Sequence, residues 1–125
     1  MKIRDLVEAK EDAIMGSGVS EEEIEAAEKA LNLTFAPDYK EYLSTIGLLM
    51  CDGHEFTGLG NSTRTNVVAV TQQLKDLRGD IPDDWYVIEN ENMDGAAMWQ
   101  DSAGIVYFNK RKEYESFTGY LQDLN

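Results

Sequence analysis

The chain has 125 residues, of which 42% are hydrophobic and 28% are charged, so it is long enough for one domain with a single core and too short for two. Its 24 acidic and 11 basic side chains give a formal net charge of −13, which disfavours binding to nucleic acid or anionic membranes and favours a basic partner. A charged N-terminal stretch, no apolar run near 18 residues and the single cysteine, Cys51, predict a cytoplasmic protein.

Residues 1–18 are predicted to form an added amphipathic helix. Apolar side chains recur at helical spacing at Ile3, Leu6, Val7, Ala13 and Ile14. Gly16, Ser17 and Gly18 then supply a helix stop.

A complete helix-start signal opens the next segment, residues 19–47. Ser20 is the predicted N-cap, and Glu23 stands three residues later as the acid of a capping box. Val19 and Ile24 supply the apolar pair that packs across such a cap. We therefore expect a helix here, and the helix dipole favours its acidic first turn.

A second helix of this segment is predicted to begin at Pro37, because the fixed φ of proline suits the first helical turn. Its apolar stripe consists of Tyr39, Tyr42, Leu43 and Ile46. Gly47 follows as the C-terminal stop.

The middle of the chain gives weaker signals. Residues 48–56 are predicted to be extended, and helical spacing returns over residues 67–77 behind the possible cap Asn66. Four consecutive small and β-branched residues, 67–70, are equally compatible with a strand.

Residues 84–109 are predicted to form an antiparallel meander. The three strand candidates, rich in aromatic and β-branched residues, are Trp85–Ile88, Ala96–Trp99 and Ile105–Phe108. Asp94-Gly95 and residues 101–104 are suitable turns between them.

The order of these elements predicts an α+β domain. N-terminal helices are expected to pack on a central antiparallel sheet, and residues 114–125 are expected to form a closing C-terminal helix. One face of the sheet should be covered by helices and the other partly open.

Three stretches of the chain together resemble the opening signature of the SUKH superfamily, which includes bacterial immunity proteins and fungal cell-wall regulators. They are Val19–Glu25, Ala27–Leu33 and Pro37–Leu43. The residues that carry the resemblance are Ser20, Glu23, Ile24, Pro37, Tyr39, Leu43 and Gly47. The chain departs from the family where a glycine pair often follows the second helix, because Leu48 and Leu49 follow Gly47 here.

The resemblance implies a single SUKH-like domain over residues 1–125. It also implies a binding role, since bacterial members are similar to immunity proteins that inactivate a cognate toxin by direct contact. Such toxins are frequently nucleases, and an acidic protein can occupy a site built to attract phosphate. The alternative is a non-enzymatic scaffold or regulatory module that binds endogenous proteins, as the fungal members do.

No catalytic, cofactor or metal site emerges from the residues. Cys51 and His54 are the only cysteine and histidine, and on an extended segment they should point to opposite faces, which disfavours a nucleophilic pair. A zinc site that adds Asp52 and Glu55 would be carboxylate-rich and confined to one short stretch.

A calcium loop is also disfavoured. The template matches at Asn90, Asn92, Asp94, Gly95 and Asp101. Its first position should be Asp and its twelfth Glu, and its flanks should be helical, whereas these flanks read as strands.

Two other stretches give no binding motif. The glycine-rich residues 58–63 lack the lysine of a phosphate loop, and Lys110, Arg111 and Lys112 make too small a basic cluster for nucleic acid. We therefore expect no enzyme, no cofactor and no metal. A small-molecule enzyme is the third interpretation, which a large closed pocket containing His54 or paired carboxylates would support.

A contact surface is predicted around the first strand of the meander, where carboxylates lie beside an aromatic anchor. Its residues are Asp83, Asp84, Trp85, Glu89 and Glu91. The competing interpretation makes Trp85 a core residue and the acids turn residues.

Overall fold

A seven-stranded antiparallel sheet runs through the computed structural model of the protein, which describes residues 2–60, 62–90 and 96–124. The strands are β1 (Ile14–Met15), β2 (Leu49–Cys51), β3 (His54–Phe56), β4 (Tyr86–Asn90), β5 (Ala97–Gln100), β6 (Val106–Phe108) and β7 (Arg111–Tyr114). Each strand pairs with the next in sequence order, so the sheet is a meander from β1 to β7.

Five helices of the described residues accompany the sheet. They are α1 (Ile3–Glu8), α2 (Glu21–Leu31), α3 (Pro37–Thr45), α4 (Val67–Arg78) and α5 (Phe117–Asp123). The α+β class is therefore confirmed, with a helix closing the chain after the last strand. None of these helices has the length and apolar run that a membrane crossing needs.

The predicted start of α2 is confirmed. The Ser20 hydroxyl accepts a hydrogen bond from the Glu23 backbone N–H at 3.2 Å, and the Glu23 carboxylate accepts one from the Ser20 backbone N–H at 3.3 Å. This reciprocal pair satisfies two of the donors that a helix start leaves free. The helix ends at Asn32, whose left-handed φ of 55° reverses the chain.

Helix α3 begins at Pro37 as predicted, and its stripe is the centre of the main core. Tyr39, Tyr42 and Leu43 are fully buried. The hydroxyl of Tyr42 donates to the backbone carbonyl of Thr57 at 2.5 Å, and that of Tyr39 shares a 2.8 Å hydrogen bond with the Thr57 hydroxyl. The two buried tyrosines therefore have partners for their polar atoms.

The side chain of Asp38 links α3 to the last helix. Its Oδ2 accepts hydrogen bonds from the backbone N–H groups of Phe117 at 2.8 Å and Thr118 at 3.2 Å, in the first turn of α5. Its Oδ1 accepts one from Gln100 Nε2 at 3.0 Å. One carboxylate thus positions α3, β5 and α5 relative to one another.

The first helix is shorter than the sequence suggested. Helix α1 ends at Glu8, and Ile14, expected on the same helix, pairs with Met50 as the first residue of β1. The prediction of one helix through Ile14 is therefore wrong. Strand pairing decides the conformation here, because the neighbouring β2 offers a ladder partner to this stretch.

The boundary between the last strand and the last helix also differs from the prediction. Arg111–Tyr114 form β7, whereas we expected the meander to end at residue 109 and a helix to begin at residue 114. The chain reverses at Asn109, which has a φ of 53°, and α5 begins only at Phe117, behind the N-cap Ser116. A charged edge strand carries no apolar alternation by which it could be recognised.

The two faces of the sheet carry separate apolar clusters. On one face, Tyr86, Ile88 and Met98 join the main core beneath α3 and α5. On the other face, Val87 and Trp99 pack with Val70 and Leu74 of α4. Residues Val67–Arg78 therefore form a helix and not the alternative strand. This helix covers part of the sheet face that we expected to be open.

A close approach of backbones fixes the loop after α3. Gly47 has a φ of 74°, a conformation that favours glycine. A Cβ added to Gly58 would overlap the carbonyl oxygen of Gly47. The shape of the loop Gly47-Leu48-Leu49 therefore depends on Gly58, which lies eleven residues later in the sequence. In this chain Gly58 takes the place of the glycine pair that often follows the second helix in the family.

Candidate functional site

The predicted contact set around β4 is divided by the sheet. Asp83 and Asp84 are exposed in the loop that leads into β4. Trp85 is 8% exposed, and its ring stacks on that of Tyr107 with centroids 4.0 Å apart. Trp85 is therefore a core residue and is not available as an interface anchor, which corrects that part of the prediction. Glu91 lies outside the described residues.

Glu89 belongs to the interior and not to a contact surface. It is 4% exposed, its Oε2 lies 2.7 Å from Nδ1 of His54, and its Oε1 accepts a hydrogen bond from the Tyr120 hydroxyl. The register of β4 shifts between Val87 and Glu89, and this irregularity turns the Glu89 carboxylate to the face under α5 instead of the face of Val87. Its inclusion in an exposed contact patch is therefore a second correction.

Cys51 and His54 are direct cross-strand neighbours. The two-residue turn Asp52-Gly53, with φ values of 50° and 79°, joins β2 to β3 and pairs Cys51 with His54. Such partners project to the same face, so the expectation of opposite faces is wrong. Burial raises the pKa of the Cys51 thiol to about 11, which keeps the thiol protonated and weakly nucleophilic at neutral pH.

The surroundings of His54 differ from the closed pocket that the enzyme interpretation requires. The depression lined by Cys51, His54 and Glu55 measures about 380 Å³ and opens to solvent. Glu55 is paired with Arg64, and Asp52 lies 3.6 Å from Nζ of Lys10. Within residues 2–60, 62–90 and 96–124, no group of three or more His, Cys, Asp or Glu side chains could hold a metal ion.

Three residues of the calcium template, Asn92, Asp94 and Gly95, lie outside the described residues. Asp101, at its last position, has its carboxylate occupied within a turn. Oδ1 accepts hydrogen bonds from the backbone N–H groups of Gly104 and Ile105, both at 2.9 Å. Oδ2 accepts one from the Tyr107 hydroxyl at 2.9 Å. This carboxylate therefore stabilises the β5–β6 connection.

Helix α2 presents the clearest set of free carboxylates. Glu21, Glu22 and Glu25 are exposed, and none of them has an ionic or hydrogen-bonded partner among the residues that the structure describes. The inward side of the same helix is apolar, with Ile24 and Ala27 buried. Sequence reasoning assigned the first-turn acids to the helix dipole alone and missed Glu25 as a surface residue.

The surface on either side of α2 is concave. A depression of about 720 Å³ is lined by Glu22, Glu25 and Glu28 together with residues at the C-terminal end of the helix. On the side that faces α3 lies a second one of about 480 Å³, which we call the α2–α3 groove. Glu25 and Glu28 line both, so a partner seated on α2 would meet these carboxylates from either side.

Hydrogen bonds connect this region to the predicted residue Asp84. Oδ2 of Asp84 accepts from the backbone N–H of Ser102 at 3.2 Å, and the Ser102 hydroxyl donates to the carbonyl of Thr34 at 2.5 Å. Thr34 lines the 720 Å³ depression. Asp83 and Asp84 therefore lie on the same side of the molecule as α2.

We call the exposed carboxylates on this side the acidic surface; its members are Glu21, Glu22, Glu25, Asp83 and Asp84. Two lysines lie beside it. Lys29 of α2 lines the same depression as Glu22 and Glu25, and Lys75 of α4 donates from Nζ to the backbone carbonyl of Asp83 at 2.8 Å. Burial lowers the pKa of Lys75, while the carboxylates of Asp83 and Asp84 act to raise it. Two lysines stand beside five carboxylates, so the surface carries a net negative charge.

A comparison with protein families found one match over almost the whole chain. The model of the family SUKH_5, described as SMI1-KNR4 cell-wall, matches residues 3–124. A search of curated proteins found no match to the chain.

Proposed function

Because the chain belongs to the SUKH_5 (SMI1-KNR4) family, we propose that it is an immunity protein that binds a cognate bacterial toxin domain and neutralises it. The observation that carries the proposal is the acidic surface, where three carboxylates of α2 lack a cation partner in the described part of the chain and flank concave surface. A protein that works by contact needs such a surface, and its charge selects a basic partner.

The charge of the whole chain supports the same partner. At a net charge of −13, long-range attraction accelerates encounter with a cationic protein and repels nucleic acid and anionic lipid. A nuclease toxin fits this description, because its active site must attract phosphate. We propose that the acidic surface takes the place of the nucleic acid at such a site, and that the encounter occurs in the cytoplasm.

We further propose that the protein acts by binding alone and catalyses no reaction. The protonated Cys51 thiol, the hydrogen bond between His54 and Glu89, and the open depression beside them support this view. The proposal requires no cofactor and no metal.

A second candidate function is a regulatory scaffold that binds endogenous proteins. The description of the matching family, which refers to the cell wall, favours this alternative. It predicts that the protein gives no protection against a toxin.

Co-expression tests the proposal directly. The probe is a candidate toxin domain, namely the variable C-terminal domain of any large secreted protein whose gene neighbours this one, expressed with and without the immunity protein. We expect full growth only in the presence of the immunity protein, and a stable complex on gel filtration at low salt. Growth arrest at equal expression, together with no complex, would reject neutralisation for that pair.

A further inference from the structure

The α2–α3 groove combines an apolar floor with an acidic wall. Ile24 of α2 is 6% exposed at its base, and Pro37 at the start of α3 contributes exposed apolar surface. The polar residues that line it are Glu21, Glu25, Glu28, Lys40, Glu41 and Ser44. Its volume of about 480 Å³ is enough for one or two long side chains of a partner.

Two carboxylates of the groove are already engaged by the fold. Oε2 of Glu28 accepts a hydrogen bond from the backbone N–H of Phe35 at 2.8 Å and lies 3.4 Å from Nζ of Lys40. Oε2 of Glu41 accepts one from the backbone N–H of Ile3 at 2.8 Å. These contacts hold α1, α2 and α3 together and also occupy the lysine that lines the groove.

The remaining two carboxylates face the groove without a partner in residues 2–60, 62–90 and 96–124. They belong to Glu21 and Glu25, which stand four residues apart on α2 and therefore project from neighbouring turns of one face. Their charges repel each other across this spacing. A cation placed between them would remove that repulsion as well as gain its own attraction.

The geometry points to one occupant, and the inference rests on the proposed function. We propose that the α2–α3 groove receives an arginine side chain of the toxin. Its aliphatic stem lies on Ile24 and Pro37, and its guanidinium group lies between Glu21 and Glu25. Arginine suits the site because its stem covers apolar surface while its planar head donates to carboxylates in pairs.

Binding of a defined cationic peptide tests the arginine site independently of the proposed toxin-neutralising function. Octa-arginine with a fluorescent label is titrated with the full chain carrying Glu21→Gln and Glu25→Gln, and with a control carrying Asp5→Asn and Glu11→Gln. Both variants lose two negative charges at exposed carboxylates, so the long-range field changes equally. We expect the groove variant to bind the peptide at least about fivefold more weakly than the control at low salt.

Backbone amide NMR shifts of the wild-type chain locate the peptide. We expect the largest changes at residues 21–25 and 37–44, on the two walls of the groove. Equal affinities for the two variants, or shifts centred on residues 83–84, would overturn the arginine site. Circular dichroism of both variants confirms that the helices are retained.

The toxin domain then distinguishes failure of the groove from failure of the function. If the wild-type chain protects cells and the groove variant forms the toxin complex with an unchanged dissociation rate, the groove proposal is wrong and the function stands. If the wild-type chain neither protects nor binds, the function is wrong, and the peptide result alone decides whether the groove accepts arginine. We expect protection by the wild-type chain and dissociation about tenfold faster for the groove variant.

Discussion

Nδ1 of His54 lies 2.7 Å from Oε2 of Glu89, which joins β3 to a buried carboxylate of β4. The Tyr120 hydroxyl donates to the other oxygen of the same carboxylate, so α5 is attached to the sheet at this point. Two donors therefore offset the cost of burying Glu89.

We expect Glu89→Ala to lower the free energy of unfolding by about 3 kcal/mol. The substitution leaves the Tyr120 hydroxyl and His54 Nδ1 without their acceptor and opens a cavity under α5. Urea denaturation followed by tryptophan fluorescence measures the change. The control is Glu113→Ala, which removes an exposed pair with Arg111 and should cost no more than about 0.5 kcal/mol. Equal losses for the two variants would show that the buried carboxylate does not stabilise the fold.

A second prediction concerns the backbone contact between Gly47 and Gly58. Gly58→Ala places a methyl group against the Gly47 carbonyl, which must shift the loop after α3, and we expect a loss of about 3 kcal/mol or more. Gly60→Ala is the control, since a Cβ at that position meets nothing within 4 Å. Thermal unfolding should show a large fall in Tm for the first variant and almost none for the second. A Tm for Gly58→Ala close to that of the wild type would contradict the close approach.

A third prediction concerns the thiol of Cys51. With a pKa of about 11 in the folded protein, the thiolate fraction at pH 8 is about a hundredfold below that of a thiol with the ordinary pKa of 9.0. We expect a disulfide reagent to react at least about a hundredfold more slowly with the folded chain than with the chain in concentrated urea. Comparable rates in the two states would mean that the thiol is ionised and accessible in the fold.

The Cys51 thiol also makes the stability of the folded protein depend on pH. Because folding raises the pKa of Cys51, the folded state holds this proton more tightly than the unfolded state. The associated stability is present below pH 9 and declines as the pH rises towards about 11. We therefore expect the urea midpoint of Cys51→Ser to fall less than that of the wild type between pH 9 and about pH 11. An unchanged pH dependence would assign the decline to other groups.

A fourth prediction tests the loop residues of the acidic surface. Asp83→Lys combined with Asp84→Lys should slow association with the toxin domain about three- to tenfold more than it speeds dissociation, because exposed charges act mainly on encounter. Asp5→Lys combined with Glu11→Lys changes the net charge equally at exposed positions elsewhere. Stopped-flow measurements at low salt give both rates. If the two double variants associate equally fast, Asp83 and Asp84 have no special place in the interface.

The helix pair could be predicted because its signals are local. Ser20 and Glu23 cap α2 within four residues, and Pro37 and Gly47 bound the second helix by their own backbone preferences. The strands β1 and β7 could not be predicted in this way. Their two and four residues are extended because a neighbouring strand pairs with them, and Arg111–Tyr114 show no apolar alternation.

The hairpin at Cys51 carried a signal that the sequence reasoning did not use. Asp-Gly is a strong two-residue turn pair, and it would have placed Cys51 and His54 opposite each other. The role of Asp38 had no such local signal, since its partner Phe117 lies 79 residues away. The same holds for Glu89, whose burial depends on the position of α5.

For the candidate site, the sequence predicted an acidic surface and could not place it. Asp83 and Asp84 are exposed as expected, but a register shift in β4 between Val87 and Glu89, which has no signal in the sequence, directs Glu89 into the core. No described ion pair includes Glu21, Glu22 or Glu25, and this distribution of partners depends on the tertiary structure.

The residues of helix α2 have two separate roles, packing and surface exposure, and substitutions can change one role without the other. Ile24 and Ala27 face inward and hold the helix to the rest of the molecule, whereas Glu22 and Glu25 face solvent and make no contact that the fold requires. A change at the outward positions alters what an opposing protein meets and leaves the packing intact. One scaffold can therefore acquire a new partner by single substitutions, without passing through an unstable intermediate.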